Sequence, residues 1–190
     1  MADDTIFVIT RVAAHDRSAR RVEICEHKGT GHPDSICDGV VEAVSRALSA
    51  AYLREYGQVQ HHNVDKALLV GGESAPRFGG GKIPVPMRLI VFGRATPLPN
   101  VDMSEFVHRA EHAYLATSLR CDPGLFSIES AVHNGSPNLR RGFTQGLKKW
   151  QANDTSFGAG YAPLSRLEES VLHLSEMLRS TEFRTAFRAG

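Results

Sequence analysis

Lysine is the scarcest charged residue here: of 22 basic residues only five are lysine, Lys28, Lys66, Lys82, Lys148 and Lys149. Cysteine is rarer still. Cys25, Cys37 and Cys121 are odd in number and widely spaced, with no C-x-x-C pair, which excludes a disulfide framework and predicts a reduced, cytoplasmic setting. A surplus of either charge is missing too. The 22 basic groups face 21 acidic ones for a net charge of +1, so the broad electrostatic case for nucleic acid or an anionic membrane surface falls away. The longest apolar runs, such as Ala67–Val70 and Leu89–Phe92, are strand-sized and far short of the roughly 20 residues a membrane span needs. Met1–Thr5 holds two aspartates and no basic n-region, against a secretory signal. Internal repeats and low-complexity tracts are absent. What is present is ordinary soluble composition, 42% hydrophobic and 23% charged over 190 residues, enough for one compact domain or two small ones.

Periodicity divides the chain into short elements. Thr5–Val12 and Arg21–His27 read as strands, the second alternating Val22, Ile24 and Glu26 with Glu23 and Cys25. A glycine turn, Gly29-Thr30-Gly31, leads into His32-Pro33-Asp34, and proline at a first helical position with an acid beside it starts a helix. Ile36, Val40, Val44, Ala47, Leu48 and Ala51 give that helix its apolar stripe, and Gly57 stops it after Tyr56. Ala67–Val70 and Met87–Gly93 are strands flanking a glycine-rich loop, Ser74–Pro86. A second helix over Ser104–Arg120 buries Phe106, Val107, Ala110, Ala113 and Tyr114, and Leu125–Val132 is another strand. His133–Asn153 reads as a long polar loop. Ser165 opens the last helix with a capping box to Glu168, and Leu167, Val171, Leu174 and Leu178 line its inner face. Strands outnumber helices without regular alternation, which predicts an α+β fold with helices on one face of a sheet.

Three constellations carry candidate chemistry. Glu26–Asp34 runs E-H-K-G-T-G-H-P-D, and a glycine turn onto a helix N-terminus offers free N–H groups and a dipole to a phosphate. There Asp34 is a candidate Mg2+ ligand and His32 a candidate donor to developing negative charge; the plain alternative is a strand–turn–helix capped by Asp34. Gly71–Gly81 holds five glycines with Glu73 and Phe78, which suits close backbone approach to a ligand but equally a loop between strands. Asn153–Gly158 places short polar groups ahead of Phe157 and doubles as an Asx-turn. Two metal-like patterns are weaker. His108-Arg-Ala-Glu111-His112 fits H-x-x-E-H, yet these positions project away from the Phe106, Ala110 and Ala113 stripe and read as solvent face. His61 and His62 enter a strand, where they point to opposite faces.

Taken together, Glu26–Gly39, His61-His62-Asn63, Gly71-Gly72, Phe78–Gly81, Gly93–Thr96 and Asn153–Ser165 resemble archaeal-type S-adenosylmethionine synthetases in order and nearly in spacing, over about Val22 to Phe183. The resemblance implies an α+β fold whose mixed sheet carries helices on one face and leaves the other for subunit packing. It implies a synthetase-like domain over residues 1–122 and the start of a second over 123–190, with segments free to interleave. It also implies adenosyl transfer from ATP to methionine, or a related thioether, with release of triphosphate. By carry-over His32 is catalytic, Lys28, Gly29, Gly31 and His32 meet the phosphates, and Asp34 and Glu26 hold Mg2+, with K+ as a further candidate cation. Glu73, Asn134, Asp154 and Phe157 contact the amino acid and nucleoside. Asn134 stands where the family prefers glutamine, and Asn138 where it prefers aspartate. Family members run to about twice this length, and their other half brings lysines and a second metal-binding aspartate. The expected partner is therefore a second copy or a chain supplying that half, with no nucleic acid or membrane. The competing expectation is a non-catalytic regulator that dimerises with a full-length synthetase.

Overall fold

A computed structural model describes residues 21–119, 122–135 and 160–188, and Thr5–Val12 and most of His133–Asn153 lie outside them. The chain divides into two compact units, Lys28–Thr155 and the pair of segments Met1–His27 and Ser156–Gly190.

The larger unit is built on α1 (Pro33–Tyr56). Pro33 supplies a preset φ where no helical N–H is needed, and Gly57, at φ 70°, closes the last turn by donating to Leu53 O. The N-cap is His32 rather than Asp34: its Nδ1 accepts from the Asp34 backbone N–H. Strands β1 (His62–Val70), β2 (Glu73–Arg77), β3 (Gly80–Val85) and β4 (Met87–Ala95) follow, then α2 (Met103–Ser118) and, after a short 3-10 turn, β5 (Phe126–Asn134). The main sheet has the order β1-β4-β5 and is mixed: β1 and β4 are antiparallel, β4 and β5 parallel with α2 as the crossover. This is the α+β class expected. Ile36, Val40, Val44, Leu48 and Tyr52 from α1 and Val107 and Leu115 from α2 join Val64, Leu89, Val91 and Phe126 of the sheet in one core.

Four expectations need correction. Ser74–Pro86 is mostly a two-stranded hairpin, β2 paired with β3, and its glycines serve the turn: Gly79 and Gly80 have φ of 75° and 148°, open to glycine at little cost. Arg21–His27 is irregular, with Val22 74% and Ile24 90% exposed; alternation makes a strand only where a neighbour completes its hydrogen bonds, and no described strand pairs with it. Glu111 is not on the solvent face. It is fully buried, in a column with Val107 and Leu115, because α2 packs against both α1 and β5 and its inner face is wider than the apolar stripe; Ala113 is exposed.

In the smaller unit, α3 (Arg166–Arg179) has the capping box read from sequence: Ser165 Oγ accepts from Glu168 N and Glu168 Oε2 from Ser165 N. Its apolar face is the fourth correction, since Leu167, Leu174 and Leu178 are exposed. Its main packing partner among the described elements is α4 (Thr181–Arg188).

Candidate active site

The turn before α1 gathers five of the ten residues singled out from sequence: Lys28, Gly29, Gly31, His32 and Asp34. His32 N donates to Gly29 O at 3.0 Å, folding Gly29–Gly31 back over the helix start. A Cβ on Gly29 or Gly31 would meet nothing within 4 Å, so the turn is open where a phosphate would approach. Because His32 Nδ1 is used as an acceptor, at 3.1 Å from Asp34 N, the neutral ring carries its proton on Nε2. The capping bond therefore presets His32 as an N–H donor. Lys28 Nζ donates to Asp34 Oδ2. That hydrogen bond and the lysine's charge hold the Asp34 carboxyl below its ordinary range, with a smaller contribution from His32. A single ionised carboxylate beside an open glycine turn suits Mg2+, which is held by one or two carboxylates plus substrate phosphates.

The sheet fixes where the other candidates fall. Cys37, in the second turn of α1, receives a hydrogen bond from the Leu69 backbone, while at the far end Tyr52 Oη donates to Thr96 O and Ser45 Oγ lies 2.9 Å from His62 Nε2. So the His32 turn sits beside the C-terminal end of β1. Glu73 follows three residues after Val70 and shares that end. Asn134 does not: it pairs with Ala95, and Ala95 pairs with His62 at the start of β1. A nine-residue strand separates the two ends by roughly 26 Å. Glu26 belongs to the smaller unit and is exposed. Asp154 and Phe157 lie outside the described residues.

Residue by residue, sequence reasoning missed a cleft at the Asn134 end. It opens on the sheet face away from α1 and α2 and is lined by His61, Asn63, Asp65, Lys66, Phe92, Arg94 and His133 among others, with a volume of about 370 Å3. His62 points the other way, into α1, as strand alternation requires. The open face is also apolar in part: Leu68, Val70 and Phe92 are 56%, 38% and 46% exposed.

The family profile described as S-adenosylmethionine synthetase (AdoMet synthetase) matches residues 5–190. The chain belongs to this family. It is 40% identical over 189 residues to an S-adenosylmethionine synthase of Pyrococcus furiosus, covering 96% of this chain and 47% of that protein. It is 44% identical over 171 residues to the one from Aeropyrum pernix, covering 85% and 42%. For the one from Pyrobaculum neutrophilum the figures are 38% over 192 residues, 96% and 48%. The chain thus spans about half the length of the curated relatives it matches. Among the described residues no helix is long and apolar enough to cross a membrane.

Proposed function

We propose that this chain is one component of a composite adenosyl-transfer site, active only when a second chain completes it. The observation that carries this reading is the separation of Glu73 and the His32 turn from Asn134. Groups roughly 26 Å apart along a strand cannot hold one methionine and one ATP between them in a single protomer. Two sheets packed open face to open face about a two-fold axis would bring one end of each against the other end of its partner. The exposed Leu68, Val70 and Phe92 supply an apolar surface for that packing. A chain carrying the remaining half of the relatives' length is the other candidate partner.

In the proposed reaction ATP lays its phosphates on the open Gly29–Gly31 turn, against the N–H groups at the start of α1. The methionine sulfur donates a lone pair to C5′, forming the S–C5′ bond as the C5′–O5′ bond breaks and its electron pair leaves with the triphosphate. His32 Nε2–H donates to that oxygen as its charge develops. Lys28 meets the phosphates, and Glu73 and Asn134, with Asp154 and Phe157, orient the amino acid and nucleoside. Asp34, with Glu26 as a second candidate, would hold Mg2+, which when bound supplies positive charge against the triphosphate. K+ is carried by resemblance alone. The cytoplasm is the setting that suits such chemistry and the free cysteines Cys25 and Cys37.

The test is S-adenosylmethionine formation from ATP and methionine, measured with the chain alone and with a separately expressed C-terminal half of a relative. Turnover that appears or rises with the partner, and is lost in His32→Ala, is expected. ATP binding without turnover in any combination would sink the enzyme reading. Association with a full-length synthetase, unchanged in His32→Ala, would then support the regulatory alternative, which half-length coverage also accommodates.

A further inference from the structure

We propose that His108 and His112, one turn apart on the exposed side of α2, form a two-imidazole chelate for a borderline divalent cation of the Ni2+, Cu2+ or Zn2+ kind. Both side chains are exposed, and both lie inside the continuous helix Met103–Ser118. Their rings already stand side by side, with centroids 6.3 Å apart and planes 27° from parallel. A spacing of four residues puts both on one helix face, where two histidines grip a metal from adjacent turns. With metal–nitrogen bonds of about 2.0–2.1 Å, two imidazoles on one ion have centroids roughly 5 Å apart. Side-chain rotation alone closes the pair on a cation, and the backbone need not move.

The ring nitrogens are also unengaged. Among the described residues neither His108 nor His112 makes a hydrogen bond, whereas His32 Nδ1 accepts from Asp34 N and His62 has Ser45 Oγ and Gln60 O on its two nitrogens. Beneath the pair lies Glu111, fully buried, with Oε2 accepting from Ser130 and Oε1 without a partner among the described residues. It is near enough to His108 for their charges to interact. Glu111 is therefore a carboxyl behind the first ring, where metal-binding histidines commonly have one, and not an outward-facing ligand.

That placement separates this pair from a peptidase zinc centre. No three His, Cys, Asp or Glu side chains converge among the described residues, and Glu105, one turn before His108, leans towards Arg109 at 3.9 Å. Catalytic zinc takes three protein ligands, so two imidazoles with water in the other positions make a clamp and not a hydrolytic centre. Imidazole selects Ni2+, Cu2+ and Zn2+, while Mg2+ and Ca2+ prefer oxygen. Bound there, an ion ties consecutive turns of the β4–β5 crossover together and favours the folded chain, because only the helix gives the pair this spacing. The clamp shares no residue with the turn before α1, so it stands whether or not the adenosyl-transfer reading does.

The experiment is titration of the full chain with NiCl2 and, separately, MgCl2, followed by NMR of the histidine imidazoles, since paramagnetic Ni2+ broadens the signals nearest to it. Ni2+ is expected to broaden His108 and His112 together and ahead of the other histidines, and Mg2+ is not. His108→Ala and His112→Ala sit at exposed helical positions that suit alanine, and each should weaken Ni2+ binding at the remaining ring about tenfold or more. Each should also reduce the Ni2+-dependent rise in thermal midpoint, and the double variant should reduce it no further, because a chelate needs both rings. Moving the second ring by one position, in His112→Ala with Ala113→His, keeps the histidine count but not the spacing and should not restore binding. Recovery in that variant would overturn the proposal. So would broadening of other histidines ahead of this pair, an equal response to Mg2+, or wild-type affinity in either single variant.

Discussion

Glu111→Gln offers a direct measure of what the packing of α2 costs this protein. Glu111 is fully buried; its Oε2 accepts from Ser130 Oγ at 2.6 Å, and its Oε1 has no partner among the described residues. Burial pushes the carboxyl above its ordinary range, opposed by the Ser130 hydroxyl and, more weakly, by His108. The folded chain therefore keeps this proton at pH values where the unfolded chain has lost it. Stability from this group is complete below the unfolded carboxylate value, about 4.3, and is lost as pH rises towards the folded one. Within that window the slope approaches about 1.4 kcal/mol per pH unit. Glutamine keeps the shape and the oxygen that Ser130 needs but has no proton to lose. At pH 5 and below, the two proteins should unfold at similar urea concentrations. By pH 7.5 the glutamine variant should be more stable by about 1–3 kcal/mol, the desolvation cost of an unsatisfied buried polar group. Urea unfolding followed by circular dichroism from pH 4.5 to 8 reads the difference directly. Parallel curves across that range would refute the reasoning, because they would mean the carboxylate is already satisfied where it lies.

Other perturbations test other contacts. A Cβ on Gly39 would lie 1.9 Å from Tyr114 Oη, so Gly39→Ala must push α2 off α1 or displace the tyrosine; a loss of about 1–3 kcal/mol in denaturant unfolding is expected. In Lys28→Met the Asp34 carboxyl should titrate closer to its ordinary value than in the wild type, since the lysine is the main cause of its lowering; carboxyl-carbon NMR against pH checks this. Leu68→Lys on the open sheet face should leave the thermal midpoint nearly unchanged, because the side chain is 56% exposed, yet weaken any self-association seen by analytical ultracentrifugation. An unaltered sedimentation profile in a self-associating wild type would count against face-to-face packing. Tyr52→Phe removes a buried hydrogen bond to Thr96 O and should cost about 1 kcal/mol in the same unfolding assay.

Features set by neighbours in sequence were legible without coordinates. Pro33, Gly57 and the Ile36–Val40–Val44–Leu48 stripe define α1, and Ser165 with Glu168 caps α3, because helix periodicity and capping act over one or two turns. The His32 turn was legible for the same reason, although which side chain caps the helix was not. Asp34 and His32 both have acceptors within reach, and only the folded turn chooses. The pattern Gly79–Gly81 signals backbone freedom but not its use, so a loop and a hairpin read alike until β2 finds β3.

Tertiary structure alone decided the rest. A helical wheel turns one face inward, but α2 meets both α1 and β5, and that second contact carries Glu111 into the core against its polarity. Strand order is equally non-local: β5 lies parallel to β4 through the α2 crossover, which puts Asn134 beside Ala95 and far from Glu73. The scarcity of lysine, visible at once in composition, did not reveal that Arg94 is the one arginine or lysine of β1, β4 and β5 with no acid beside it among the described residues. That depends on register, and register is fixed by which faces the sheet buries rather than by any short run of residues. Sequence by itself determined the family, the helix start and the residue types available for chemistry. The fold determined which of them share an end of the sheet, because distance between residues remote in the chain is set by packing.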